Sequence, residues 1–198
     1  MKSFQLEGIV REGFGKKAAR ELRKENLVPC NLYGVAKDAE GKPMAQAFSV
    51  KVDDLRKLIY TPHIYVVNLT IGGKTVNAIL KEIQFHPVKD NILHIDFLQI
   101  EEDKPIVMEV PVQLQGLAAG VKAGGKLSQL TRKLKVKALY NVIPEKLIID
   151  VTELTTGKSI KVRDLNFEGL EFVSPKDALV CAVKATRAAR TTEAEAEK

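Results

Sequence analysis

The sequence predicts a mainly β protein with short helices, arranged as two domains. Three observations carry this. Short runs rich in aliphatic and β-branched residues recur along the 198 residues, separated by Gly, Pro and charged turns. Only two stretches, Lys16–Asn26 and Val52–Tyr60, read as helices. At Glu101–Lys104 the chain turns charged and then meets Pro105, which sets the expected division into residues 1–100 and 101–186.

In order, Lys2–Arg11 alternates as a strand, with Phe4, Leu6, Ile9 and Val10 as its apolar positions. Gly13-Phe14-Gly15 turns the chain into Lys16–Asn26, which holds no Gly or Pro. Pro29 ends that helix, and Cys30–Val35 returns to an extended run. Residues 36–43 are a polar turn. Ala45–Val50 follows as a strand, then the helix Val52–Tyr60, opened by Asp53 and Asp54. Tyr65–Ile71, Lys74–Phe85 and Ile92–Ile100 are strands, the first two joined by the hairpin signal Gly72-Gly73.

Beyond Pro105 the texture is β throughout: Ile106–Gln115, Leu134–Tyr140, Lys146–Val151, Ser159–Val162 and Ala178–Ala185. This spacing predicts a β-sandwich or barrel-like domain. Asp150–Leu154 adds a turn of helix. The polar stretch 187–198 has no apolar face and is expected to be a disordered tail.

Composition narrows the function. Hydrophobic residues make up 45% and charged residues 28%, enough for ordinary packed cores. Aromatics are 6% and Trp is absent, so a large aromatic-lined ligand pocket is not expected. The net charge of +6 points to a polyanionic partner only if the cations cluster. Cys30 and Cys181 form no CxxC pair and read as reduced, cytosolic thiols. No apolar run reaches the roughly 18–20 residues of a membrane helix.

The cations do cluster. In the first helix Lys16, Arg20 and Arg23 fall at i, i+4 and i+7 and form one stripe, flanked by Lys17 and Lys24. Such a stripe can straddle phosphates, or it can be a solvated face with Glu21 and Glu25 pairing locally. The preceding Gly13-Phe14-Gly15-Lys16 permits close backbone approach at a helix N-terminus. Farther on, the period of two sets Gln84 with His86 on one face, opposite Ile83 and Phe85. It exposes His94 and Asp96 while Leu93, Ile95 and Phe97 point inward. Those polar groups suit base edges and 2′-hydroxyls in a wide, shallow groove. His86, His94 and Asp96 also make a two-His, one-carboxylate set, but no HExxH or nearby Cys supports a metal.

Gly120–Leu127 nearly fits a phosphate-binding loop, yet Leu127 stands where Ser or Thr would hold Mg²⁺. A flexible β-connection is the better reading, and nucleotide hydrolysis is rejected. Between Lys122 and Lys137 lie six cations and no acid: Lys122, Lys126, Arg132, Lys133, Lys135 and Lys137. Lys133, Lys135 and Lys137 share one strand face, which suits RNA phosphate or simply water, and the six together are read as a secondary basic patch for RNA. No catalytic set can be nominated, and Cys30 reads as a buried, inert thiol.

Together these motifs resemble a known family. Gly13-x-Gly15-Lys16-x-x-Ala19-Arg20-x-Leu22-Arg23, then Pro29-x-x-x-Tyr33-Gly34, is similar to the start of bacterial large-subunit ribosomal protein twenty-five. Gln84-Phe85-His86-Pro87 and His94-Ile95-Asp96-Phe97 match a second hallmark. Val110-Pro111-Val112, Gly120-Val121-Lys122, Ile143-Pro144-Glu145 and Asp150-Val151 resemble its longer two-domain, general-stress (Ctc) form. The resemblance implies an N-terminal β-barrel that binds an internal-loop region of 5S rRNA. It also implies a C-terminal β domain making further contacts at the central protuberance. By matching position, Arg11, Lys16, Arg20 and Arg23 would meet backbone and groove. Tyr33, Gln84, His86, His94 and Asp96 would complete the RNA face. Asn31 interrupts the apolar run before Tyr33, which argues for an edge position.

The expected function is therefore structural, as a cytoplasmic, ribosome-associated RNA-binding protein. No cofactor, metal, membrane or small-molecule substrate is expected. Two rivals stand beside it: a stress adaptor for acidic proteins, and a metal-dependent enzyme centred on His86, His94 and Asp96.

Overall fold

The computed structural model describes residues 2–34, 44–101 and 103–186. The polar turn expected at 36–43 and the tail at 187–198 lie outside the described residues. The chain divides into two compact units, Met1–Lys104 and a second beginning at Pro105.

The first unit is a closed barrel. Its strands are β1 (Lys2–Val10), β2 (Leu27–Tyr33), β3 (Gln46–Lys51), β4 (Tyr65–Ile71), β5 (Lys74–Phe85) and β6 (Ile92–Gln99). Around the barrel they run β1-β3-β2-β6-β5-β4, and a parallel β1–β4 ladder closes the ring. Alternation fills the inside with Leu6, Cys30, Leu32, Val67, Leu69 and Ile95, centred on Phe48 and Phe97, whose rings lie 5.7 Å apart. Gly8 interrupts β1 for a packing reason: a Cβ there would come within 2.7 Å of the Phe48 ring.

Two helices attach to this barrel: α1 (Lys16–Lys24) and α2 (Val52–Ile59), the latter burying Leu55 and Leu58. The α1 helix ends two residues before the expected Asn26, because Asn26 adopts a left-handed φ of 59° and turns the chain into β2. Pro29 therefore lies inside a strand rather than at a helix end. The β2–β6 ladder begins only at Cys30, so the missing Pro29 amide is tolerated. Asn31 is not at an edge: β2 lies between β3 and β6, with Asn31 opposite Ala47 on one side and Asp96 on the other.

The second unit is built from two sheets. One has the order β10-β7-β9-β12, from β7 (Ile106–Gln115), β9 (Lys133–Ala138), β10 (Leu147–Asp150) and β12 (Glu171–Phe172). The other has the order β11-β13-β8, from β8 (Lys126–Gln129), β11 (Ser159–Lys161) and β13 (Leu179–Lys184). Val110, Leu134, Val136 and Leu147 are fully buried in the first, while Cys181 and Val183 pack with Ala118 and Val151. The expected helical turn at Asp150–Leu154 is instead an Asx turn, in which Asp150 Oδ1 accepts from the Thr152 amide at 2.9 Å. A single helical turn, α3, forms at Ala119–Lys122, where the sequence read as a plain connection.

Candidate nucleic-acid interface

The α1 helix has no buried residue and packs on β2 through one side. Lys16, Arg20 and Arg23 are all exposed, as their spacing predicts. Gly15 caps the helix with φ 93° and supplies no side-chain oxygen, so the first-turn amides have no side-chain cap. Arg23 and Lys24 lie in the last turn, where cations complement the helix dipole.

Arg23 does more than extend the stripe. Its Nε and Nη2 both donate to the Leu93 carbonyl in β6, at 3.1 and 2.9 Å. That fork fixes the C-terminal end of α1 beside His94 and leaves Arg23 less free to follow a phosphate than Lys16 or Arg20. A cationic helix is thereby fastened to the β6 backbone next to His94.

On the outer face of the sheet the register sets a row across three strands. Glu82 of β5 pairs with Asp96 of β6, and Asp96 in turn with Asn31 of β2. One step along, Gln84 pairs with His94. His94 Nδ1 lies 3.6 Å from Asp96 Oδ1. The Tyr33 phenol is pushed above its ordinary pKa, first by burial and then by the negative charges of Asp96 and Glu82. It remains a neutral hydroxyl donor.

His86 departs from expectation. It follows the end of β5, and its Nδ1 accepts from the Val88 and Lys89 amides at 3.2 Å each. Those bonds leave Nε2 as the proton-bearing nitrogen, aimed away from the turn. Phe85, expected opposite Gln84, is 42% exposed, because the β5–β6 register shifts between Gln84 and Phe85. Arg11 is half-buried; its Nε donates to the Gly13 carbonyl at 2.8 Å, and its guanidinium stands 5.8 Å from the Phe14 ring centre.

Three contributors escaped the sequence reading. Glu82 was legible by extending the Gln84 alternation two residues upstream. Asn31 was legible as the outward neighbour of Tyr33. The Leu93 carbonyl carried no sequence signal, since only the fold brings it to Arg23.

His86 Nδ1 is taken by the Val88 and Lys89 amides and is not available to a metal shared with His94 and Asp96. Among the described residues no group of three or more His, Cys, Asp or Glu is placed to hold a metal. Cys30 is wholly buried, and burial, with Asp96 adding to it, raises its thiol pKa strongly.

In the second unit the basic patch is partly neutralised. Lys135 pairs across the ladder with Glu109 at 3.9 Å, and Lys137 with Glu171 at 3.2 Å. The aligned lysines thus have a structural reason in opposing acids on β7 and β12. Lys126 belongs to the other sheet and Lys122 to α3, so the six cations do not share one strand face. The Gly-rich loop is no phosphate cradle either. Backbone amides from Ala119 to Gly125 all donate to carbonyls of the chain itself. Gly120 packs so closely on the 155–156 backbone that a Cβ would come within 2.5 Å.

Comparison with known proteins covers both units. Residues 6–97 match the model of the Ribosomal L25p family, and residues 105–187 match that of the Ribosomal protein TL5, C-terminal domain. The large ribosomal subunit protein bL25 of Phocaeicola vulgatus is 66% identical over 198 residues, covering 100% of both chains. Its counterpart in Bacteroides thetaiotaomicron is 59% identical over 203 residues, again covering 100% of both. That of Porphyromonas gingivalis is 59% identical over 191 residues, covering 96% of each.

Proposed function

The chain belongs to the ribosomal L25p family in its two-domain form, and from that premise we propose that its barrel grips structured 5S rRNA at the central protuberance of the large ribosomal subunit. As a ribosomal component it works in the cytoplasm, by structure and not by catalysis.

The observation that carries the reading is the Arg23 fork on the Leu93 carbonyl, which ties the cationic helix to the strand that carries His94 and Asp96, beside Gln84 and Tyr33 on the neighbouring strands. The two parts have separate tasks. Lys16 and Arg20 meet phosphates, displace condensed counterions and position the protein. The sheet face reads what lies between the strands of RNA. Gln84 offers both amide donors and a carbonyl, Asp96 accepts from base amino groups, and Tyr33 donates from its neutral hydroxyl. A regular A-form major groove is too narrow for such side chains, whereas an internal loop opens it. Mg²⁺ ions at such a site belong to the RNA.

The test is a filter-binding titration of the full chain against 5S rRNA and an unstructured RNA of equal length, across several salt concentrations. The wild type should prefer 5S rRNA strongly. Lys16→Ala/Arg20→Ala should weaken binding and lower the salt slope by about 0.7–0.9 for each phosphate that is no longer neutralised. Equally weak binding to both RNAs, with no change in the variant, would sink the reading and favour an acidic protein partner.

A further inference from the structure

Phe14 lies outside the RNA face described above, and its setting is unusual for a phenylalanine. It is 72% exposed, while Phe48 and Phe97 are wholly buried in the same unit. The fold forgoes here the stabilisation that burying a phenylalanine ring brings. A single exposed apolar residue needs no explanation by itself. Two features of this loop supply one.

The first is support from below. The Arg11 guanidinium stands 5.8 Å from the Phe14 ring centre, within cation–π range, and its Nε is fixed on the Gly13 carbonyl at 2.8 Å. The Arg11 amide is itself tied to the Ala47 carbonyl of β3 at 3.3 Å. The second is open space. Both neighbours of Phe14 are glycines, and a Cβ on Gly15 would meet nothing within 4 Å. No adjacent side chain screens the ring, and Lys16 with the first turn of α1 follows immediately.

We propose that Phe14 is a stacking platform for one unpaired nucleobase of the bound RNA, held in place by Arg11; this rests on the 5S rRNA reading and deepens it. A flat aromatic face accepts any base, so the platform adds affinity without reading sequence. The neighbouring cations hold the phosphates on either side of the stacked nucleotide. An RNA internal loop supplies unpaired bases that a regular duplex does not.

The chain contains no Trp, so Phe14→Trp places a single tryptophan at the platform, excited selectively over the four tyrosines at the red edge of the absorption band. In the full chain, Phe14→Trp should bind 5S rRNA like the wild type, with its emission strongly quenched on binding. Phe14→Leu keeps an apolar side chain but loses the flat face, and should weaken binding roughly fivefold or more. Its salt slope should stay at the wild-type value, because no counterion is released by stacking. Binding by Phe14→Leu within about twofold of wild type would overturn the platform, since twofold is the scale of ordinary mutational noise. So would Trp emission that is unchanged, or shifted to the blue without quenching, as an apolar protein contact gives. If Lys16→Ala/Arg20→Ala still loses affinity and slope while Phe14→Leu does not, the platform alone falls. If the wild type shows no preference for 5S rRNA, the functional reading falls and takes the platform with it.

Discussion

Tyr33 shows how one residue's chemistry depends on its neighbours across the ladder. Burial raises its pKa first, and the carboxylates of Asp96 and Glu82 add to that. Asp96→Asn should therefore bring the Tyr33 titration part of the way back, leaving the contributions of burial and of Glu82. Absorbance at 295 nm against pH measures this, with Tyr33→Phe identifying the component. A Tyr33 titration unmoved by Asp96→Asn would mean the carboxylate does not face the phenol. Cys30 offers a stability counterpart. Its folded pKa is raised above the ordinary 9.0, so the folded state holds a proton that the unfolded state releases. The contribution is complete below pH 9.0 and declines as pH rises through that value, by up to about 1.4 kcal/mol per pH unit. Cys181 shifts the same way. Urea unfolding between pH 8 and 10 should show the decline, and Cys30→Ala, less stable at neutral pH, should show a shallower one. Equal slopes in the two proteins would place the Cys30 thiol in contact with solvent.

At the scale of elements, α1 is useful only if it stays where Arg23 holds it. Arg23→Lys keeps the charge and loses the two-pronged bond to Leu93, worth about 1 kcal/mol net. The expected result is faster hydrogen exchange in α1 and several-fold weaker RNA binding, at an unchanged salt slope. A full-unit drop in slope in the charge-removing Arg23→Gln, with exchange in α1 unchanged, would instead make Arg23 a phosphate ligand. The lysine strand β9 behaves oppositely. Lys135 and Lys137 already have Glu109 and Glu171, in exposed pairs typically worth 0–1 kcal/mol. Lys135→Ala should leave both stability and the 5S rRNA salt slope nearly unchanged, and a slope reduced by a full unit would restore β9 as an RNA-binding strand. These two elements also mark how far the sequence could be read. Local periodicity was enough for the α1 stripe and for the outward positions of Gln84, His94 and Asp96, because both depend on side-chain direction within one element. The placing of His86 was not legible, since a register shift and a turn after Phe85 end the alternation. The pairing of the β9 lysines was equally hidden, since their acids lie 26 and 34 positions away in sequence.

For the whole molecule, the question is whether the two units act as one binding body. Each has its own core, the family matches fall separately at 6–97 and 105–187, and the division comes at Lys104 and Pro105. Net charge does not choose between them, because residues 1–100 carry 15 basic and 11 acidic groups against 16 and 14 in the remainder. Placement does choose. The first unit concentrates exposed cations on one helix beside a polar sheet face, whereas the second spends Lys135 and Lys137 on internal acids and its loop amides on its own carbonyls. Residues 1–104 alone should therefore fold and keep the full chain's 5S rRNA salt slope, with affinity within about tenfold of it. Residues 105–186 alone should fold with a separate melting transition and bind RNA weakly and without preference. Calorimetry of the full chain and of both pieces, with salt titrations of each, checks both statements. If residues 1–104 fold but lose slope as well as affinity, phosphate binding must extend onto the second unit. The cations to test would then be Lys122, Lys126, Arg132 and Lys133, for which the ladder acids Glu109 and Glu171 are not the partners.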